Sequence, residues 1–331
     1  MSNAMGERTF DLLLKQDATG KTAQVHLSQK MDDVTQIRVK LPRPSSSSLY
    51  EPAQLTHTIT LNNLYEGTAV DWGVDNARSV ADAKGTLSYD YDVSYDDLPT
   101  PTISIYGRIL SGRCPFPYET TEIIKLGNID DAAWLFDNLV RLTKIDDVEG
   151  FQRICDKSTS LKACFFNCQR LTEIPTGLFD HCTAVTDFCG CFNHCSSLTA
   201  IPEGLFDHGP NVTDFSACFS GCTGLRAIPE GLFDHCPNVT DFSDCFNSCS
   251  SLTAIPAGLF ANCTAVTDFS RCFYLLRSLT GETPHTMVDG KKIKLWERSL
   301  ENGFAKVTNY QKCFYSCDKL SDYAEIPDDW K

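Results

Sequence analysis

The sequence predicts a multidomain protein, all-β at its N-terminal end and an α/β solenoid of 27-residue coils beyond it. Three observations carry this expectation. Apolar and polar residues alternate with period 2 in the first third of the chain. A motif then returns at a step of 27. All 17 cysteines of the 331 residues lie from Cys114 onward, and a step in composition that sharp marks a boundary. The expected divisions are an expression scar at 1–4, a β segment at 5–48, a β-sandwich at 49–113, repeats at 114–281, and an insertion with a capping repeat at 282–331.

The N-terminal strands follow from alternation. Ile37, Val39 and Leu41 alternate with Gln36, Arg38 and Lys40, and His57, Ile59 and Leu61 with Thr56, Thr58 and Thr60. Leu87, Tyr89, Tyr91, Val93 and Tyr95 alternate with Ser88, Asp90, Asp92 and Ser94. Such runs are half-buried antiparallel strands. Pro42, Pro44 and Ser45 to Ser48 read as a soft linker. No charged and apolar leader follows the second Met, so export by that route is not expected unless the leader is absent from this chain.

The repeats come next. Leu178-Phe179-Asp180-His181 returns at Leu205, Leu232 and, altered, at Leu259. Val185-Thr186-Asp187-Phe188 returns at Val212, Val239 and Val266, and Leu198-Thr199-Ala200-Ile201-Pro202 at Leu225 and Leu252. A unit this short cannot bury its own apolar side, whereas stacked copies can. Each Leu-Thr-x-Ile-Pro segment is expected to be a short strand. Each Asp-Phe-Ser-x-Cys-Phe-x-x-Cys segment is expected to be a short helix, with Asp or Ser as its N-cap. Residues 282–306 break the array, and Asp289-Gly290 in this stretch reads as a hairpin turn.

C-x-x-x-C recurs at 164, 191, 218, 245 and 313, which admits zinc, inter-coil disulfides or apolar packing. Leu276 stands at the second Cys position of one copy, and Gly209 stands where Cys182, Cys236 and Cys263 stand in others. A metal ligand cannot become Leu and keep its chemistry, while a buried small hydrophobe can, so packing is the preferred reading. Asp180/His181, Asp207/His208 and Asp234/His235 pair carboxylate with imidazole in three coils. Three identical pairs read as a solvated column rather than a catalytic pair, with metal binding by stacked His the remaining reading. Asp187, Asp214, Asp241, Asp268 and Asn309 read as repeated helix caps.

The run from Val239-Thr240-Asp241-Phe242-Ser243 through Cys249-Ser250-Ser251-Leu252-Thr253 to Ile255 resembles the BspA-type leucine-rich repeat of bacterial surface proteins. It departs in having Phe and Cys where that family has Met. The resemblance covers about residues 120–328 and implies a right-handed leucine-rich-repeat solenoid. Val70-Asp71-Trp72-Gly73, the tyrosine strand and Ile103 to Gly107 resemble the immunoglobulin-like PKD sandwich, with Gly73-Val74-Asp75 where that family has Gly-Asp-Gly. Trp72 is expected in its core.

A net charge of −14 argues against nucleic-acid binding, and no apolar run is long enough to span a membrane. No phosphate loop, G-x-S-x-G or H-E-x-x-H motif is present, so no enzyme activity, cofactor or metal is expected. The resemblance implies a non-enzymatic binding or adhesion module at a bacterial surface, taking a protein or glycan partner. The expected interaction face is Thr172, Glu173, Thr199, Arg226 and Thr253, which flank the core Leu and Ile of successive coils. A structural or receptor-binding part of a phage tail or fibre is the alternative.

Overall fold

The computed structural model describes residues 8–15, 22–29, 34–40, 55–62, 64–66, 68–74, 77–82, 84–93, 100–106, 108–109 and 113–331. The expected scar at 1–4, the Pro/Ser linker, Leu41, Ser94 and Tyr95 fall outside them. Among the described residues fourteen strands form: β1 (Arg8–Lys15), β2 (Thr22–Gln29), β3 (Val34–Val39), β4 (Leu55–Leu61), β5 (Ala69–Asp71), β6 (Arg78–Val80) and β7 (Leu87–Val93). The others are β8 (Thr102–Tyr106), β9 (Arg108–Ile109), β10 (Thr120–Lys125), β11 (Asn128–Ile129), β12 (Lys144–Ile145), β13 (His285–Val288) and β14 (Lys291–Lys294). One α-helix, α1 (Val148–Cys155), lies among the described residues.

The main sheet has the order β12-β10-β3-β8-β5-β6, and β1-β2, β4-β7, β9-β11 and β13-β14 are two-stranded. Strand β3 alternates half-buried and buried along its length, placing Ile37 and Val39 inside. It pairs antiparallel with β8 on one side and β10 on the other, so the sheet draws strands from both sides of positions 48 and 113. Trp72 is fully buried, its indole N–H donates to Ser79 Oγ at 3.0 Å, and its carbonyl accepts from the Tyr91 hydroxyl at 2.6 Å.

The expected fold class, an immunoglobulin-like sandwich followed by a right-handed α/β leucine-rich-repeat solenoid, is overturned. Regular structure is mostly β in small sheets, and the Asp-Phe-Ser-x-Cys-Phe-x-x-Cys segments are not helices but runs of turns. The reason lies in their hydrogen bonds. A helix would use each N–H within itself. Here Phe165, Phe192, Phe219 and Phe246 donate instead to the carbonyls of Cys191, Cys218, Cys245 and Cys272 in the following copy, at 2.8–2.9 Å. The cysteine N–H groups beside them close tight turns, as Cys191 does onto Phe188 O at 3.0 Å. Positive φ at Ala163 and Asn167, Gly190 and His194, Ala217 and Gly221, and Asp244 and Ser248 breaks any helical run. The Leu-Thr-x-Ile-Pro segments form no named strand either. Proline, at their ends, has no N–H to give to a ladder.

Successive copies nevertheless lie over one another. Single-residue parallel bridges run Ser160–Asp187–Asp214–Asp241–Asp268–Asn309. Inside, three phenylalanine columns stack: Phe165 through Phe192, Phe219, Phe246 and Phe273 to Phe314, and parallel columns from Phe188 to Phe269 and from Phe179 to Phe260. Ring centroids in the first column are 5.1–5.8 Å apart. One apolar core runs from Ile37 to Trp330.

Both ends of the stack replace the same half-copy. Helix α1 occupies the place taken by Pro175 to Cys182 one period later. Asp147 caps it, accepting from Gly150 N at 3.0 Å, and its apolar side buries Phe151, Ile154 and Cys155. At the far end, 282–306 folds into the β13–β14 hairpin and short 3-10 turns. There Arg298, 4% exposed, donates to Phe260 O at 2.7 Å and to Cys263 O at 3.0 Å. It takes the acceptor to which a further coil would present a thiol, as Cys263 does to Phe233 O. The guanidinium lies 4.3 Å from the Phe304 ring centroid, and burial lowers it to about 10. Arg298→Leu keeps the cover but strips the Cys263 carbonyl of its donor and leaves the Phe260 carbonyl only the Cys263 N–H, and is expected to cost about 1–3 kcal/mol in a urea unfolding titration. An unchanged midpoint would remove the guanidinium from this capping role.

Candidate functional site

The five expected contact residues, Thr172, Glu173, Thr199, Arg226 and Thr253, are all exposed. Backbone bonds tie three of them in register: Thr199 N donates to Thr172 O at 3.4 Å, and Arg226 N to Thr199 O at 3.3 Å. Thr280 N continues the file to Thr253 O at 2.8 Å. Leu171, Leu198, Leu225 and Leu252 on one side, with Ile174, Ile201, Ile228 and Ile255 on the other, are buried, so the residues between them are turned outward. Glu173 begins a neighbouring file that continues as Ala200, Ala227 and Ala254. The face therefore carries one anionic corner, one cation and hydroxyls, on a backbone flanked by buried Leu and Ile.

A second threonine file escaped the sequence reading. Thr186, Thr213, Thr240, Thr267 and Thr308 each donate their N–H to the threonine carbonyl of the copy before, at 2.9–3.0 Å. Their hydroxyls reach the same carbonyls at 3.1–3.4 Å. The recurrence of Val-Thr-Asp-Phe carries this file in the sequence, one residue before the aspartate. Those aspartates are not helix caps. Asp187, Asp214, Asp241 and Asp268 accept from the N–H two residues on, at 2.7–2.8 Å, closing turns that lead into the cysteine segment. Burial raises the Asp241 carboxyl, against hydrogen bonds from Ser243.

Carboxylates of Asp187 and Asp214 and the thiol of Cys189 lie within 4.8 Å of one another. Both carboxylates already accept main-chain N–H groups, which accounts for their positions. The Asp/His column is exposed at Asp180, His181, Asp207, His208, Asp234 and His235. His181 meets Asp156, at 3.0 Å.

The thiols lie inside. Cys164, Cys168, Cys191, Cys195, Cys218, Cys222, Cys245 and Cys249 are all fully buried. The second thiol of each pair donates to a carbonyl of the preceding copy: Cys195 to Phe165 O at 3.2 Å, Cys222 to Phe192 O at 3.1 Å, Cys249 to Phe219 O at 3.0 Å. That carbonyl also closes the turn within its own copy, so the thiol uses its second lone pair. Burial pushes these thiols up, Cys222 to about 12, which suits packing and not nucleophilic chemistry.

A cleft of about 330 Å³ opens where β4 meets the first copy. Thr58, Thr60, Tyr118, Asp137 and Asn138 are among its lining residues. Burial raises the Asp137 carboxyl, opposed by the Asn138 amide. Its two walls come from stretches far apart in sequence, so no local signal announces it. In comparisons with known proteins, no family model and no curated sequence matches this chain. Among the described residues no helix is long and apolar enough to cross a membrane.

Proposed function

We propose that the protein is a non-enzymatic binding module of a bacterial surface protein, engaging a protein or glycan through the file Thr172, Glu173, Thr199, Arg226 and Thr253. The observation that carries this reading is the file itself: exposed side chains, presented from successive copies, on a backbone fixed from within by buried Leu and Ile. A repeated surface on an ordered backbone accumulates contacts over an extended area with little backbone ordering cost. The surface resemblance of the repeat motif supplies the setting.

The test is adhesion. Beads coated with the protein are expected to attach to cultured epithelial cells above the level of albumin-coated beads. The triple variant Thr199→Lys, Arg226→Glu, Thr253→Lys is expected to lose that attachment, by at least tenfold, with an unaltered melting temperature because the sites are exposed. Equal attachment of the variant, or none by the parent protein, would sink the reading.

A further inference from the structure

Of the buried thiols, Cys182 stands apart. Its equivalents in later copies, Cys236 and Cys263, donate to the carbonyls of Phe206 at 3.7 Å and Phe233 at 3.6 Å. The matching carbonyl for Cys182 would be that of Gln152. In the structure that carbonyl closes the end of α1, where Asp156 N donates to Gln152 O at 2.9 Å. The Cys182 sulfur is directed instead at Cys155, the last residue of α1, with the two Sγ atoms 2.7 Å apart. That is closer than two unbonded sulfur atoms rest, and short of a covalent bond. Cys155 is fully buried and Cys182 is 1% exposed.

We propose that Cys155 and Cys182 are a cross-linking site, forming a disulfide that ties α1 to the first full coil. The bond joins residues 27 apart and closes a loop across one copy. It needs an oxidant, which we assign to the class of small-molecule or protein disulfide donors. One thiolate attacks a donor sulfur, expelling the first donor thiol and leaving a mixed disulfide. The second thiolate then displaces the remaining donor thiol. Two S–H bonds and one donor S–S bond are broken, one S–S bond forms in the protein, and the donor leaves as two thiols carrying both protons. Burial raises the Cys182 thiol and closes it to donors once folding is complete, so the exchange takes place while the coil is still open. The proposal does not depend on the binding face.

The experiment is refolding from denaturant in oxidised and reduced glutathione, followed by alkylation under denaturing conditions and peptide mapping without reductant. The expected result is a cross-link between the peptide Ile154–Lys157 and the peptide carrying Cys182, with the remaining thiols alkylated. Fragmentation within the larger peptide assigns the partner as Cys182 rather than Cys189 or Cys191. On reductant, the oxidised parent is expected to melt at a lower temperature, whereas Cys182→Ser is expected to melt alike in both conditions. Complete alkylation of Cys155 after oxidative refolding, or its cross-linking to other cysteines as often as to Cys182, would overturn the proposal.

Discussion

Phe219→Ala is expected to remove about 3–5 kcal/mol of stability, close to the largest loss available from one side chain in this molecule. Phe219 is fully buried in the middle of its column, stacked 5.5 Å from Phe192 and 5.6 Å from Phe246, with Phe206 at 6.2 Å. Truncation withdraws the ring's apolar area and opens a void whose walls are other aromatic rings. Those walls cannot collapse inward, because each Phe main chain is hydrogen-bonded to the next copy. The void therefore keeps most of its volume, which places the cost at the high end. Guanidinium unfolding followed by circular dichroism measures it. As a contrast, Thr199→Ala, on the exposed file, is expected to stay within about 0.5 kcal/mol of the parent. A loss below about 1 kcal/mol for Phe219→Ala would show that the columns relax freely.

The second large effect lies in the C-terminal insertion. Lys294 and Asp322 form an ion pair at 2.5 Å, with side chains only 9% and 7% exposed, and Thr283 donates to Asp322 through both its N–H and its hydroxyl. Lys294→Met strands a buried carboxylate and is expected to cost about 3–5 kcal/mol. Lys294→Met combined with Asp322→Leu is expected to recover most of that, since an apolar pair avoids desolvating charge. Burial alone would raise the Asp322 carboxyl, but hydrogen bonds from Lys294 and Thr283 outweigh it and leave it below its ordinary value. A depressed carboxyl stabilises the fold above its unfolded pKa, about 4, and loses that contribution as the pH falls through the folded value. Thermal melts between about pH 7 and about pH 2 are expected to show an acid-side decline that is smaller in the double variant. Parallel declines in the two proteins would assign the acid sensitivity elsewhere.

Much of this organisation was readable from residues, and the failures have physical causes. The step of 27 is legible because identical side chains must return wherever copies share one core. The helix expectation failed at Phe and Cys, whose spacing of three and four positions suits consecutive tight turns as well as a helical side. Gly190 and Gly221, both at positive φ, were the sequence's only glycine hints of those turns in the columns shared with Ala163, His194 and Ala217. At the N-terminal end, alternation identified Ile37 and Val39 as inward, but could not show that β10, from beyond Cys114, pairs with β3. Outward placement of Thr172, Thr199, Arg226 and Thr253 was legible because large apolar residues flank them. The cleft and the Cys155–Cys182 approach were not, since each depends on how stretches separated in sequence pack against one another.

At the far end of the stack, the Phe314 N–H donates at 2.9 Å to the carbonyl of Trp330, whose ring lies 5.0 Å from that of Tyr310. Trp330 thus accepts at this rung as the next copy's cysteine carbonyl does at the earlier ones. An open rung of this kind is a template for the next molecule, and chains with such an edge polymerise into filaments. Because the Phe314 rung is closed by Trp330 and not by a further copy, whole units added to or removed from the interior would leave that closure undisturbed.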